Sequence, residues 1–251
     1  MTVAAGALEP RAAAGIADDL ALLARLHDRE LDAPLIAILR RMPVDQWFAL
    51  RLEGPEFTEA ARLLDDALKD APDPVTAETL DEMAAEYAAI YLNHTYRISP
   101  HESVWVDDDG LERQEPMFRV RAAYAEFGFR VPDWRMRADD HIAHELAFLS
   151  NVAPRLAEPA AAEAIARFLR EHPRVWLPEF AGRVVRRCQS PFYAGIALMT
   201  TIYVSALADL LAQIYGFDPT PVEPQKHAQA APGLTCADPP PRYAPGAGPG
   251  W

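Results

Sequence analysis

The 251-residue sequence has few cysteines, only Cys188 and Cys236, and they lie far apart. Neither belongs to a Cys-x-x-Cys pair. Two cysteines cannot build a disulfide framework, and without that spacing the sequence gives no signal for a zinc site or a redox motif.

Stretches rich in lysine or arginine are also missing, and the formal net charge is -13 at pH 7. A surface of this sign repels the phosphate backbone, which argues against nucleic acid as a partner. Any charged partner should therefore be basic. The first residues, 1–19, lack the charged-then-apolar arrangement of a secretory signal, so we expect the chain in the cytoplasm.

Several catalytic motifs are absent. The sequence has no Gly-x-x-x-x-Gly-Lys-Ser/Thr loop, no Gly-x-Ser-x-Gly elbow and no His-Glu-x-x-His helix. These are signatures of phosphate-binding loops, serine hydrolases and zinc proteases. The Gly-x-Gly pattern at 246–248 follows no predicted strand and is not a nucleotide loop. The sequence therefore gives no motif for these activities, and we expect no bound cofactor.

A long uninterrupted apolar run is missing as well. The most apolar segment, 192–215, carries no charge before Asp209, but Gly195, Thr200 and Thr201 interrupt it. A membrane-spanning helix needs about 20 predominantly apolar residues. We predict a buried central helix of the second half here, and no membrane span.

The sequence does contain helical periodicity along most of its length. Leu80, Met83, Tyr87 and Tyr91 recur every three or four residues behind Thr76, a candidate N-cap. Such segments, separated by proline and glycine, predict an all-α fold, a helical bundle of two subdomains joined by an irregular connector. The predicted boundaries are a flexible N-terminus at 1–15, an N-terminal subdomain at 16–95, a connector or hinge at 96–135, a C-terminal subdomain at 136–217 and a disordered Pro/Gly-rich tail at 218–251.

The connector carries the most irregular composition. It begins with the run 99–105, Ser-Pro-His-Glu-Ser-Val-Trp, and continues into an acidic turn at 107–110. Pro100 removes a backbone donor, so the preceding helix cannot continue through it. Loops held by rigid scaffolds often carry binding sites, and Tyr87 and Tyr91 lie where their hydroxyls could face a cleft. We predict a binding surface at this connector.

A possible metal site follows the connector. His141, His144 and Glu145 would lie on adjacent turns of one helix. Their order matches neither usual zinc-protease motif, and the simpler interpretation is that Asp139 or Asp140 caps this helix. A small metal-binding protein or hydrolase using the two histidines and Glu145 stays open as the alternative function. The titration of His141 is also open, because the helix dipole disfavours its charge while nearby carboxylates favour it.

Several short motifs occur in a consistent order between residues 20 and 215. They are Tyr87-Ala88-Ala89-Ile90-Tyr91, the run 99–105, Asp140-His141-Ile142-Ala143-His144-Glu145-Leu146, the run 168–178 and Ser190-Pro191-Phe192-Tyr193. Together they resemble the TorD/DmsD family, cytoplasmic chaperones that mature molybdenum-containing oxidoreductases. Two motifs depart from the family pattern. Its aromatic-x-x-Leu-Phe is Tyr87-x-x-Ile90-Tyr91 here, and its Glu and Pro before Asp-His are replaced by Arg137-Ala138-Asp139.

The resemblance implies an all-α chaperone, not an enzyme, that binds a twin-arginine signal peptide and the apo-form of a molybdopterin-containing oxidoreductase. Such a chaperone assists cofactor insertion and delays export until maturation. The implied partners are the apo-molybdoenzyme catalytic subunit, its signal peptide and molybdenum cofactor biosynthesis proteins, and the chain itself would be a monomer or homodimer.

An arginine-bearing peptide with an apolar stretch requires carboxylates beside an aromatic groove. The peptide-binding residues predicted on this basis are Tyr87, Tyr91, Pro100, Glu102, Ser103, Trp105, Asp139, Asp140, His141 and Glu145.

Overall fold

The computed structural model describes residues 3–4 and 7–223, and most of this part of the chain is α-helical. Its α-helices are α1 (Pro10–Asp28), α2 (Ala33–Leu39), α3 (Pro55–Asp70), α4 (Ala77–Tyr91), α5 (Ser103–Val106), α6 (Glu115–Glu126), α7 (Ile142–Val152), α8 (Pro159–Glu171), α9 (Pro173–Arg187) and α10 (Pro191–Tyr215). Two 3-10 turns, Val44–Gln46 and Ala153–Arg155, and an antiparallel pair of two-residue strands, β1 (Val3–Ala4) and β2 (Ala7–Leu8), complete it. The all-α fold is confirmed.

Local signals mark the ends of several helices, and Thr76 caps α4 as predicted. The Asp32 carboxylate accepts a hydrogen bond from the Leu35 backbone N–H at 2.8 Å. Thr76 Oγ accepts one from the Thr79 N–H at 3.2 Å. α6 stops just before Gly128, whose φ of 67° is in the left-handed region that glycine tolerates best. Local sequence therefore sets where these helices begin and end.

α10 is the central helix of the bundle. It packs against α3, α9 and α8. By length and composition it could cross a membrane, but 61% of its most apolar window is buried inside the protein. This burial favours the interpretation of a core helix surrounded by other helices.

The two predicted subdomains contact each other through their helices. α1 lies against α7, α3 lies against α10, and buried residues of both halves belong to one continuous apolar core. The division at 16–95 and 136–217 stays a prediction. α1 already begins at Pro10, inside the segment predicted as flexible, because proline suits the first helical turn and Ala13 is fully buried.

The segment 218–223 runs beside α8. Val222 N donates to the Arg170 carbonyl at 3.0 Å, and Arg170 Nη1 lies 3.4 Å from Asp218 Oδ2. The rest of the tail predicted at 218–251 lies outside the described residues.

α3 and α10 approach closely at Gly195. A Cβ there would lie 2.7 Å from Leu64 Cγ and 3.3 Å from the Ala60 carbonyl oxygen. Gly195→Ala is therefore expected to push the helices apart and to lower the free energy of unfolding by about 1–3 kcal/mol, the usual cost of overpacking. Urea unfolding would show this as a lower midpoint with an unchanged slope.

Gly182→Ala on α9 is the matched control. The added Cβ would meet only Arg186 Nη1, at 3.2 Å, the far end of a flexible side chain. Since alanine favours a helix interior over glycine by up to about 1 kcal/mol, this variant should be neutral or more stable. A midpoint for Gly195→Ala equal to that of the parent would contradict the close helix approach.

Candidate functional site

A short antiparallel bridge joins the connector to the residues that precede α7. The bridge pairs His101 with His141, and Ile142 N donates to the Pro100 carbonyl at 2.9 Å. The two histidine rings meet edge to face, with centroids 5.0 Å apart. The segments 99–106 and 139–145, which carry most of the predicted site, therefore lie side by side.

Asp140 locks α5 against the segment that leads into α7. Its Oδ2 accepts hydrogen bonds from Ser103 N at 2.9 Å and Ser103 Oγ at 2.5 Å, and its carbonyl accepts one from Glu102 N at 3.0 Å. The carboxylate is fully buried. No side chain next to α5 in sequence caps its N-terminus, so Asp140 acts as the cap from another segment. It also fixes the orientation of that short helix.

Glu102 and Glu145 are carboxyl groups inside the protein, each 1% exposed. Glu102 Oε2 lies 3.0 Å from His172 Nδ1, and burial raises the pKa of Glu102 although the histidine opposes this. Among the described residues, no partner forms a hydrogen bond of good geometry with either oxygen of Glu145 or with Trp176 Nε1, although Trp176 and Glu102 lie near the carboxyl group. Burial raises the pKa of Glu145 well above its ordinary value, and the charges of Glu102 and Asp140 add to the shift. Burial therefore favours the protonated form of Glu145.

His141 itself caps α7. Its Nδ1 accepts a hydrogen bond from the Ala143 N–H at 3.1 Å, so the predicted cap by Asp139 or Asp140 is wrong. The physical reason is that both aspartates are bonded elsewhere, Asp140 to α5 and Asp139 to a guanidinium of α6. Burial lowers the pKa of His141 well below its ordinary value, so the neutral ring that this hydrogen bond needs is the stable form.

Tyr87 and Tyr91 turn their hydroxyl groups inward. Their rings stack at 4.6 Å, and Tyr87 OH donates to the Asp28 carbonyl at 2.7 Å. Tyr91 OH lies 2.6 Å from His27 Nδ1, whose Nε2 lies 2.8 Å from Thr200 Oγ1. Burial lowers the pKa of His27 to about 3, so this buried chain is neutral. Neither hydroxyl faces a cleft.

Trp105 alone of the predicted residues stays partly exposed. Its Nε1 donates to the Ser99 carbonyl at 2.9 Å, and its ring stacks towards Trp176 and meets Phe180 edge to face. The guanidinium of Arg183 lies over the indole, 4.4 Å from the ring centroid. The other nine predicted residues are buried, so their assignment to peptide binding stays a prediction, and in this conformation only Trp105 is open to direct contact.

A groove of about 420 Å³ opens beside α5, between α6 and α8. Its apolar lining residues are Val106, Ala122, Ala123, Val175 and Val222, and the buried Glu102 and His172 also line it. Charged lining residues are Arg119, Glu126, Arg167, Glu171 and Glu223. The sequence did not reveal this groove, because its residues come from separate helices and share no motif.

Another cavity, of about 430 Å³, lies beside α2 and α3, away from the connector. Arg40 lines it, but the guanidinium already donates to the carbonyls of Leu68, Ala71 and Pro72. The Arg40 guanidinium therefore has a structural role in binding backbone carbonyls of the protein itself.

Comparison with known proteins identifies the family. Residues 53–182 match the family described as nitrate reductase delta subunit. The chaperone protein TorD of Shewanella loihica is 26% identical over 190 residues, which cover 73% of this chain and 87% of that protein. TorD of a strain of Escherichia coli is 27% identical over 189 residues, covering 73% and 90%. The chaperone protein YcdY of Escherichia coli is 27% identical over 134 residues, covering 53% and 67%. This chain belongs to the TorD/DmsD family of chaperones.

The TorD/DmsD family consists of chaperones for molybdoenzyme maturation, not of enzymes. The alternative of a metal-dependent protein gains no support from the geometry. Within residues 3–4 and 7–223, no group of three or more His, Cys, Asp or Glu side chains is placed to hold a metal ion. His141 and His144 have ring centroids 5.8 Å apart, and burial lowers the pKa of His144 to about 4.

The departure from the TorD/DmsD pattern before Asp-His has a structural role. Arg137 forms an ion pair with Asp28 and donates to its carbonyl at 2.7 Å, which ties the segment before α7 to the end of α1. Asp139 accepts from Arg121 Nη2 at 2.7 Å, and that guanidinium also lies 4.7 Å from the Trp134 ring. The substituted residues therefore anchor the connector with ion pairs.

Proposed function

We propose that this chaperone binds the twin-arginine signal peptide and the apo-form of a molybdopterin-containing oxidoreductase in the cytoplasm. In doing so it assists cofactor insertion and delays export until maturation. The observation that carries the proposal is a surface in which one helix face joins a groove of mixed apolar and charged lining to an aromatic ring near a carboxylate.

α9 makes this connection. Val175, Glu179 and Arg183 recur every four residues, and we call them the α9 face because they lie on one side of the helix. Val175 lines the groove, and Arg183 lies over Trp105. At 1.5 Å per residue, the two ends of the α9 face are about 12 Å apart, roughly four residues of extended peptide.

The chemistry of this surface matches the two parts of a twin-arginine leader. Near Trp105 the indole and the Glu179 carboxylate suit a guanidinium, and the acidic turn at 107–109 follows the same short helix. The groove offers apolar walls to the stretch that follows the arginines. The net charge of -13 would speed the encounter with a basic segment, while apolar contact would slow its release.

The buried residues act in this proposal through Trp105. Asp140 and Ser103 fix α5, and Ser99 accepts from the indole N–H, so the ring is held ready before a peptide arrives. Preorganisation of this kind raises affinity by reducing the entropy lost on binding. Substitutions inside the protein would then change peptide binding without removing a direct contact.

Trp105→Ala should raise the dissociation rate of a synthetic twin-arginine leader peptide about tenfold or more, because aromatic anchors dominate such interfaces. Stopped-flow fluorescence with a labelled peptide would measure it. Trp47→Ala is the matched control, since Trp47 is also partly exposed and donates through Nε1 to a backbone carbonyl, that of Met42. Equal dissociation rates for the two variants, or no binding by the parent, would refute this function.

A further inference from the structure

We infer that Arg183 occupies the arginine-binding face of Trp105 as an internal stand-in, and that an arginine of the client peptide displaces it. This inference rests on the proposed function, and it adds a specific arginine subsite and a built-in competitor to it.

The geometry around Trp105 is that of an occupied guanidinium site. Arg183 Cζ lies 4.4 Å from the indole centroid, the shortest cation–π contact among the described residues. Its Nη2 donates to Glu179 Oε1 at 2.8 Å. An aromatic face together with a carboxylate that bonds the same guanidinium is the combination that recognises arginine rather than lysine, because only the guanidinium is planar and can stack while it donates.

Trp105 contacts both a buried ring and a partly exposed guanidinium. Trp176 lies parallel to the indole, 6.5 Å away, and is 1% exposed. Arg183 and Glu179 keep 31% and 61% of their side chains exposed. A peptide approaching from solvent therefore meets the exposed Arg183 and Glu179 before it reaches the buried Trp176.

Arg183 is held weakly enough to leave. Within the part of the chain that the structure describes, Glu179 is its only hydrogen-bond partner, one turn away on the same helix. Exposed ion pairs of this spacing and exposed cation–π contacts each contribute little. Arg183 can swing into water without disturbing the core, whereas Trp105 stays fixed by its bond to Ser99.

A stand-in lowers the apparent affinity for the client. Binding requires the uncovered form of Trp105, so the apparent dissociation constant is the intrinsic one divided by the fraction of uncovered sites. A peptide with a lysine pair must also displace Arg183, but it gains less binding free energy because lysine makes a weaker contact with the indole. Arg183 would in this way sharpen the preference for arginine.

Removing Arg183 tests the inference, because the expected effect is tighter peptide binding, whereas most substitutions in a binding site weaken it. Arg183→Ala removes the side chain that covers Trp105. It should therefore tighten binding of a synthetic twin-arginine leader peptide about 3- to 10-fold, and it should tighten binding of a twin-lysine version of the peptide less. Isothermal titration calorimetry of the full chain would measure both peptides. Arg183→Lys, which keeps the charge but stacks poorly, should give an intermediate gain.

Arg155→Ala is the matched control for the loss of charge. Arg155 has the same arrangement elsewhere on the surface, 5.5 Å from the Phe127 ring and 2.8 Å from a Glu158 oxygen. Its removal makes the protein equally more acidic, and it should change peptide affinity less than about twofold by long-range attraction alone.

The outcomes separate this inference from the function on which it rests. If the parent binds the peptide and Arg183→Ala gains no more than Arg155→Ala, or binds more weakly, the stand-in is refuted and the proposed function survives. If neither the parent nor Arg183→Ala binds the twin-arginine peptide, both fall. A parent that does not bind the twin-arginine peptide refutes the proposed function, whatever Arg183→Ala does.

Discussion

Asp140→Ala is expected to lower the free energy of unfolding by about 3 kcal/mol, a large share of a typical domain's stability. The substitution removes one buried acceptor of two hydrogen bonds, from Ser103 N and Ser103 Oγ. Both donors would stay buried without a partner, which is the costly way to lose a hydrogen bond. Urea unfolding followed by circular dichroism would measure the change.

The same variant should release the twin-arginine peptide faster, because α5 carries Trp105 and loses its cap. Since Asp140 is fully buried, its effect on peptide binding should be nearly the same at low and high salt. Asp108→Ala provides the contrast. Asp108 is exposed in the acidic turn, so its removal should leave stability within about 0.5 kcal/mol of the parent and weaken binding mainly at low salt.

Asp140→Asn refines the argument, because its side-chain oxygen can still accept a hydrogen bond from Ser103. It should recover part of the lost stability. An Asp140→Ala protein with the parent's urea midpoint would show that this carboxylate does not hold α5. A binding defect that disappears at high salt would show that it meets the peptide's charge directly.

The helices were predictable because their signals are local. Periodic apolar residues, a capping Thr76 and a terminating Gly128 act within one or two turns, and the structure follows them. The approach of α3 to α10 at Gly195 was not predictable, since Leu64 lies far away in sequence. Distant contacts of this kind leave no pattern in one sequence.

The sequence predicted which segments form the candidate site better than it predicted whether their side chains are exposed. The motifs singled out 99–105 and 140–146, and these segments do pair. Their carboxylates were expected beside a peptide, yet Glu102, Asp140 and Glu145 are buried. One sequence feature did indicate burial, because Ile142 and Leu146 flank Glu145 on an apolar helix. There was no comparable indication for His27, because one histidine among the apolar residues of a helix can be either buried or exposed.

Glu145→Gln should stabilise the protein increasingly as the pH rises. Burial raises the pKa of Glu145 well above its ordinary 4.5, whereas the unfolded chain titrates near that ordinary value. Below about pH 4.5 both states hold the proton, and the group then has no effect on the pH dependence. Above it the unfolded chain releases its proton and the folded protein keeps it, so the parent loses stability as the pH rises towards the folded pKa.

Glutamine fills the same space and cannot ionise, so it avoids this loss. The difference in unfolding free energy between Glu145→Gln and the parent should therefore grow by up to about 1.4 kcal/mol per pH unit. Urea unfolding of both proteins at a series of pH values would measure it. His27, His141 and His144 have lowered pKa values and titrate in the opposite sense, but they are present in both proteins and cancel in the difference.

Glu163→Gln is the control for the removal of a carboxylate. Glu163 is exposed on α8, so its replacement should shift stability by a small amount that hardly changes with pH. A pH-independent difference for Glu145→Gln, or one that grows towards acid, would mean that Glu145 is ionised in the folded protein. An ionised Glu145 would need a partner, and the unpaired indole N–H of Trp176 would be the first candidate to supply the missing hydrogen bond.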